Sequence, residues 1–256
     1  MLSRHANRAT RIACGAAAVL WISGLAACAG DTVSPGADAN VRSIEASLLG
    51  GHASNTTIDD VYGLVQVAGR AGTCSGVALD SRTVITAAHC GLVLGVSFLG
   101  TTYFLRAQNG EFIHPDWHEE NDVGSDYQIL FLSSELRDRD GNEWKRQRGL
   151  WDGSGEDAEG EPLWCFGAST GTYRYGPFEA TEYIPDSSAQ TPGGLVIEGD
   201  GARTRQGDSG GPCFSRRRPF GLVGLISYEL FFVQELIAPL DGPIRNWIFA
   251  TWAQYH

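Results

Sequence analysis

The stretch TCSGVALDSRTVITAAHC, residues 73 to 90, constrains the fold more than any other. Two runs rich in Val, Ile, Leu and Thr are broken at Asp80-Ser81-Arg82 and bounded by cysteines. β-Branched residues on either side of an Asp-Ser turn read as a β-hairpin. The remainder of the chain follows the same pattern. Short Val, Ile, Leu and Tyr runs recur, long helical periodicity is scarce, and 33 glycines punctuate the sequence, which together predict an all-β protein. At 256 residues there is enough chain for one large domain or two small ones. A net charge of −11 argues against non-specific nucleic-acid binding. No internal repeat and no appended peptide-binding module is visible. In the final PIRNWIFATWAQY, Ile244, Trp247, Ile248 and Trp252 fall near helical spacing and suit a helix that packs on the core.

Residues 1 to 28 read as a secretory signal and not as part of the fold. Arg4, Arg8 and Arg11 precede an apolar stretch from Ile12 to Ala27, which is short and Ala/Gly-rich for a spanning helix. The run ends Leu25-Ala26-Ala27-Cys28, which resembles the bacterial lipobox, in which the cysteine is lipidated and becomes the first mature residue. The alternative is ordinary cleavage nearby, for instance after Ala29. Either way the chain leaves the cytosol. Residues 29 to 47 are small, polar and aperiodic and suit a tether or propeptide, so the fold is expected to begin near Leu48. Beyond Cys14 and Cys28 the chain holds Cys74, Cys90, Cys165 and Cys213, an even number in an oxidising compartment, with three possible pairings. No pair has the spacing of a zinc knuckle and the histidines do not cluster with the cysteines, so neither a metal nor a cofactor is expected.

The chemistry-bearing stretch is RQGDSGGPCF, residues 205 to 214. It places Ser209 between Gly207 on one side and Gly210 and Gly211 on the other. A serine that attacks a carbonyl must be open to substrate and needs bare backbone amides to receive the developing negative charge. The glycines are expected to supply that open space. A nucleophile requires a base, and His89 stands in TAAHC at one end of the hairpin. The base in turn requires an acid that fixes its tautomer. FIHPDWHEENDVGSDYQILFL, residues 112 to 132, supplies Asp126 at the head of an apolar strand. Asp122 is the competitor, but Gly124 interrupts the strand behind it. His114 and His118 suit solvent or hydrogen-bonding positions.

TAAHC, Asp126 before an apolar strand, and GDSGGP, in that order, resemble the chymotrypsin/trypsin family of serine proteases. The resemblance spans residues 48 to 256. It implies two six-stranded antiparallel Greek-key barrels with the active site between them and a C-terminal helix. The first barrel would occupy about 48–135, a charged exposed linker about 136–160, and the second barrel with the helix about 161–256. It implies peptide-bond hydrolysis by His89, Asp126 and Ser209, with the amides of Gly207 and Ser209 as oxyanion hole, and disulfides Cys74–Cys90 and Cys165–Cys213. It also implies that LLGG at residues 48 to 51 is an activated N-terminus, with the Leu48 amine turned inward onto Asp208. Ser47, not a basic residue, precedes Leu48, so a trypsin-like activator is unsuited to that cut. Ser227, Tyr228 and Glu229 in GLVGLISYEL are the implied substrate-binding lining, and Arg203 falls at the implied floor of the primary pocket. A cation there predicts acidic or small residues over basic ones at the cleavage point, with Glu229 as a possible ion-pair partner. Gln128 departs from the family's small residue, and Arg205 stands where many members carry another cysteine.

The implied protein is an exported, lipid-anchored serine endopeptidase acting on protein or peptide as a monomer, in contact with membrane solely through the lipid on Cys28. The alternative on the same scaffold is a catalytically silent homologue that serves as a surface binding module. A lipase is disfavoured because histidine precedes serine in the chain. If Cys28 carries the anchor, the wild-type protein partitions into detergent and Cys28→Ala releases it or leaves it unprocessed. Recovery of wild type solely in the aqueous phase, with an N-terminus beyond residue 28, would contradict lipidation.

Overall fold

Strand formation begins where the hairpin was expected. In the computed structural model, β2 (Leu64–Gly69), β3 (Gly72–Ala78) and β4 (Thr83–Thr86) form consecutive antiparallel pairs. The β3–β4 turn is closed by Asp80, whose carboxylate accepts from the Arg82 amide at 2.7 Å and the Thr83 hydroxyl at 3.2 Å. Aspartate at a turn binds the backbone two residues on, so it sets the hairpin's register. The structure describes residues 48, 50–69, 72–106, 126–145, 149–169, 171–184, 194–218, 221–230, 234–240 and 242–255. Cys28, His114, His118 and Asp122 lie outside the described residues, and so do the side chains of Tyr228 and Glu229. All described residues belong to one compact unit.

The first sheet runs in the order β6-β5-β2-β3-β4-β7, with β5 Val93–Phe98, β6 Thr101–Tyr103 and β7 Gln128–Phe131. An isolated antiparallel bridge, Leu105 to Leu132, links its two ends and closes the barrel. The second sheet contains β9 (Pro162–Gly167), β10 (Arg174–Ile184), β11 (Gly194–Gly199), β12 (Pro212–Ser215), β13 (Gly221–Leu230) and β14 (Gln234–Pro239). Its order β10-β11-β14-β13-β12-β9 returns on itself because β9 also pairs β10, giving a second closed ring of six strands. Two short strands are added to this ring: β1 (His52–Ala53) on β10, and β8 (Gly149–Leu150), parallel to β13. A short helix, α1 (Thr56–Tyr62), precedes β2; the C-terminal helix, α2 (Gly242–Tyr255), buries Ile244 and Ile248 as the spacing predicted, and Trp252 Nε1 donates to Asp80 at 2.6 Å.

β4 and β7 are buried on both faces, which is unusual for an antiparallel strand with a solvent side. The reason is that they serve two cores. Val84, Leu130 and Leu132 fill the first barrel beside Val65, Val67 and Phe98, whereas Ile85, Ile129 and Phe131 join the apolar cluster of the second barrel and α2. The stretch between the barrels differs from the exposed linker expected. Leu136 and Trp144 are buried in the first core, and Trp151 and Ala158 in the second. Charged residues surround these apolar anchors in sequence and mask them. Trp144 is the largest fully buried side chain; its ring meets Phe98 edge-on and its Nε1 donates to the Asp60 carbonyl at 2.9 Å. Truncating a buried indole leaves a large cavity, so Trp144→Ala is expected to destabilise the protein by about 3 to 5 kcal/mol in urea unfolding. A change under about 1 kcal/mol would show that the segment is dispensable to the first barrel.

Candidate active site

The acid, Asp126, precedes β7 and is 2% exposed. Its carboxylate collects three donors. Oδ1 accepts from the His89 amide at 2.9 Å, while Oδ2 meets His89 Nδ1 at 2.6 Å and accepts from the Ser227 hydroxyl at 2.5 Å. The Asp126 carbonyl also accepts from the Ala88 amide at 3.2 Å. His89 lies in a single 3₁₀ turn, Ala88–Cys90, that follows β4, so cross-strand pairing of β4 with β7 places His89 beside Asp126. Burial lowers the basicity of the imidazole, but the hydrogen bond and charge of Asp126 outweigh it, and the His89 pKa ends above its ordinary value. A proton on Nδ1, donated to Asp126, leaves Nε2 as the acceptor.

Ser209 belongs to the turn before β12 and lines two cavities together with His89 and Gln206. One, about 390 Å³, is lined by Thr73, Cys74, Ser169 and Gly207. The other, about 230 Å³, is lined by Thr204, Arg205, Ile226 and Ser227. Ser209 therefore stands on the ridge between them. Its hydroxyl donates to the Ser227 carbonyl at 3.5 Å and makes no hydrogen bond with His89. Around it the backbone amides divide into two sets. Those of Asp208, Gly210 and Gly211 donate to the Arg205, Ile226 and Asp208 carbonyls, whereas no described group accepts from the amides of Gly207 or Ser209.

Gly207 lines the larger cavity, while Gly210 and Gly211 have a further role in close packing. A Cβ on Gly210 would lie 2.2 Å from the Ser75 carbonyl oxygen, and one on Gly211 would lie 1.9 Å from that of Phe166. Both glycines permit neighbouring backbone to close against the turn. Gly207, at φ +96°, holds a conformation L residues rarely adopt.

Beneath the turn, the Asp208 carboxylate is fully buried. Oδ2 accepts from the Leu48 amide at 3.1 Å and the Arg205 amide at 2.8 Å, and Oδ1 from the Ser169 amide at 3.2 Å. Leu48, Asp208 and the active-site turn are thus joined. Burial nevertheless pushes the Asp208 pKa up to about 6 against the pull of these amides.

The structure brings His89, Asp126, Ser209, Gly207, Ser227, Leu48 and Asp208 into one region. Disulfides link Cys74 to Cys90, beside His89, and Cys165 to Cys213, directly opposite one another on β9 and β12. Arg203 is placed otherwise than expected. It is exposed, and the residue of that segment that turns inward and lines the cavity is its neighbour Thr204, whose amide donates to Glu235 at 2.9 Å. Counting back from Ser209 found the segment but missed which side chain faces in, because alternate residues of an extended chain point opposite ways. Sequence reasoning also passed over Ser75 and Gln206, since their neighbours at the site come from distant segments.

Two closed barrels with an Asp-His pair and a serine turn between them define a chymotrypsin-like protease scaffold. The Trypsin family profile matches residues 49–236, and the chain belongs to that family. Among solved structures, it resembles the scabies mite inactivated protease paralogue S-I1 with TM-score 0.56 and 18% identity, over 80% of this chain and 99% of that one. The paralogue S-D1 gives TM-score 0.56 and 16% identity over 75% and 92%. The Rv3671c protease of M. tuberculosis, in an inactive form, gives TM-score 0.50 and 14% identity over 73% and 91%. Identities this low show a shared fold and no more. A search of curated proteins finds no match.

The Asp208 shift sets a pH dependence. Its folded pKa lies above the ordinary carboxylate value, so the folded state binds more protons, and the contribution of Asp208 to stability is greatest below about pH 4 and is lost as pH rises through about 6. The loss amounts to about 3 kcal/mol in the uncleaved chain. Unfolding of wild type and Asp208→Asn from pH 4 to 8 should show this slope in the former and its reduction in the latter; equal slopes would contradict it.

Proposed function

We propose that the protein is an exported serine endopeptidase. The observation that carries the reading is Asp126, which holds His89 by two bonds beside a serine that sits on the ridge between two cavities. In the proposed reaction the Ser209 hydroxyl leaves the Ser227 carbonyl, turns to His89 Nε2 and gives up its proton as its oxygen attacks the substrate carbonyl. The amides of Gly207 and Ser209, which have no acceptor of their own among the described residues, then receive the oxyanion. His89 returns the proton to the leaving amine, and water hydrolyses the acyl-enzyme. A cavity on each side of Ser209 suits a chain that continues past the scissile bond in both directions, as in an internal peptide bond.

Export is supported by the signal-like residues 1 to 28 and by two disulfides, which persist in oxidising compartments. No described helix is long and apolar enough to cross a membrane. The reading retains Cys28 as the anchor and residues 29–47 as a segment removed or held apart, with the catalytic domain at 48–256. Cleavage before Leu48 would put an ammonium against Asp208 and stabilise its carboxylate. Arg203 is exposed, but its neighbour Arg205 lines the smaller cavity together with Thr204 and Ile226, a lining that favours small or acidic side chains over basic ones at the cleavage point.

Mass-spectrometric mapping of a peptide library incubated with the protein tests the reading. Internal cleavages absent with Ser209→Ala are expected, and their rate should fall as pH drops through a midpoint above the ordinary imidazole value, where His89 takes up a proton. Intact peptides at every pH, from both the full and the Leu48-started chain, would instead favour the silent binding module.

A further inference from the structure

Ser75 belongs to the first barrel, on β3, yet it is fully buried against the serine turn of the second. Every polar atom it carries is engaged. Its amide donates to the Ser209 carbonyl at 2.8 Å, and its hydroxyl donates to the Gly207 carbonyl at 3.0 Å. The same hydroxyl oxygen accepts from the Ala168 amide at 2.9 Å, and the Ser75 carbonyl accepts from the Thr86 hydroxyl at 2.7 Å. One residue thus fixes the carbonyls of both Gly207 and Ser209, whose amides are among those of the turn that no described group accepts from.

We infer that Ser75 is a positioning residue that holds the oxyanion-binding amides toward the cavity; this rests on the protease reading above. Glycine is free to rotate, and Gly207 occupies a positive φ that nothing in its own side chain enforces. The Gly207 carbonyl shares one peptide plane with the Asp208 amide, which donates to the Arg205 carbonyl, so Ser75 and Arg205 hold that plane from its two ends and limit how far Gly207 can turn. The Ala168 amide occupies a lone pair of the Ser75 oxygen, which directs the hydroxyl proton toward Gly207. Without the hydroxyl, the Gly207 carbonyl and the Ala168 amide lose a buried partner, and rotation of Gly207 carries its amide out of line with the attacked carbonyl. Ser75 touches no substrate. It acts through the turn.

The test uses the purified full chain and a fluorophosphonate probe, whose reaction with Ser209 needs no knowledge of the natural substrate. Ser75→Ala is expected to slow acylation roughly tenfold to a hundredfold. The pH midpoint of the rate, which reports His89, should stay in place, while the melting temperature falls by several degrees because two buried groups lose their partner. Ser75→Thr, which keeps the hydroxyl, should recover most of the rate. Acylation of Ser75→Ala within about twofold of wild type, or a rate loss that appears only with a shifted pH midpoint, would overturn the inference. If Ser75→Ala does not fold, Ser75→Gly carries the same comparison. Crystal structures of wild type and variant give a readout independent of turnover: the Gly207 amide should turn away from the cavity in the variant, and an unchanged turn would overturn the inference. Should wild type fail to react both as the full chain and as a chain started at Leu48, the protease reading falls, while the comparison of the two turns still decides the role of Ser75.

Discussion

The site depends on one buried carboxylate that is shared between barrels. Asp126 and His89 belong to the first barrel and Ser227 to the second, and all three meet at the Asp126 oxygens. A carboxylate with almost no exposure is costly unless it is fully hydrogen-bonded. Here the cost is offset by a ring N–H, a backbone amide and a hydroxyl, each donor made stronger by the charge it meets. Because these donors lie on different barrels, the carboxylate is satisfied only when both barrels are folded and docked. Formation of the base's environment is then coupled to formation of the fold.

A second buried carboxylate, Asp208, extends the same logic to the chain's start. It gathers the amides of Leu48, Arg205 and Ser169, three segments far apart in sequence, around the residue preceding Ser209. Its elevated pKa marks a site where amide dipoles alone do not fully replace water. Close packing surrounds it: a Cβ on Gly167 would lie 2.2 Å from Asp208 Oδ1. The serine turn is thereby built from backbone pressed against backbone, with Ser75 bonding it from the first barrel. Few side chains are left in the turn itself, and its geometry is set by neighbours.

Much of this was legible in the sequence, and the reasons differ by element. The β3–β4 hairpin and α2 show as local periodicity, because strand and helix faces repeat along the chain. That His89, Asp126 and Ser209 would meet was legible because local signals flank each: a cysteine-bounded hairpin, an apolar strand and a glycine-rich turn. The connection between the barrels was misread, since Leu136, Trp144 and Trp151 sit as isolated apolar residues among charges and belong to two different cores. Gly210 and Gly211 were assigned to substrate access, whereas contacts with the Ser75 and Phe166 carbonyls account for them. Arg203 and Ser75 show the same limit from opposite sides. A count along the chain cannot tell which neighbour faces a cavity, and a buried serine next to Cys74 gives no sign that its hydroxyl serves a glycine 132 residues away.

The central claim is that Asp126 holds His89 in the tautomer that activates Ser209. The rate of Ser209 acylation by a fluorophosphonate, compared between wild type and Asp126→Asn at neutral pH, tests it most directly. An amide at that position donates where the carboxylate accepts, so the imidazole is driven to the wrong tautomer while the shape of the site is kept. The account predicts a loss of about 10⁴-fold with the fold intact. Acylation of Asp126→Asn at a rate close to wild type would contradict it, because Ser209 would then be reacting without the base that this geometry supplies.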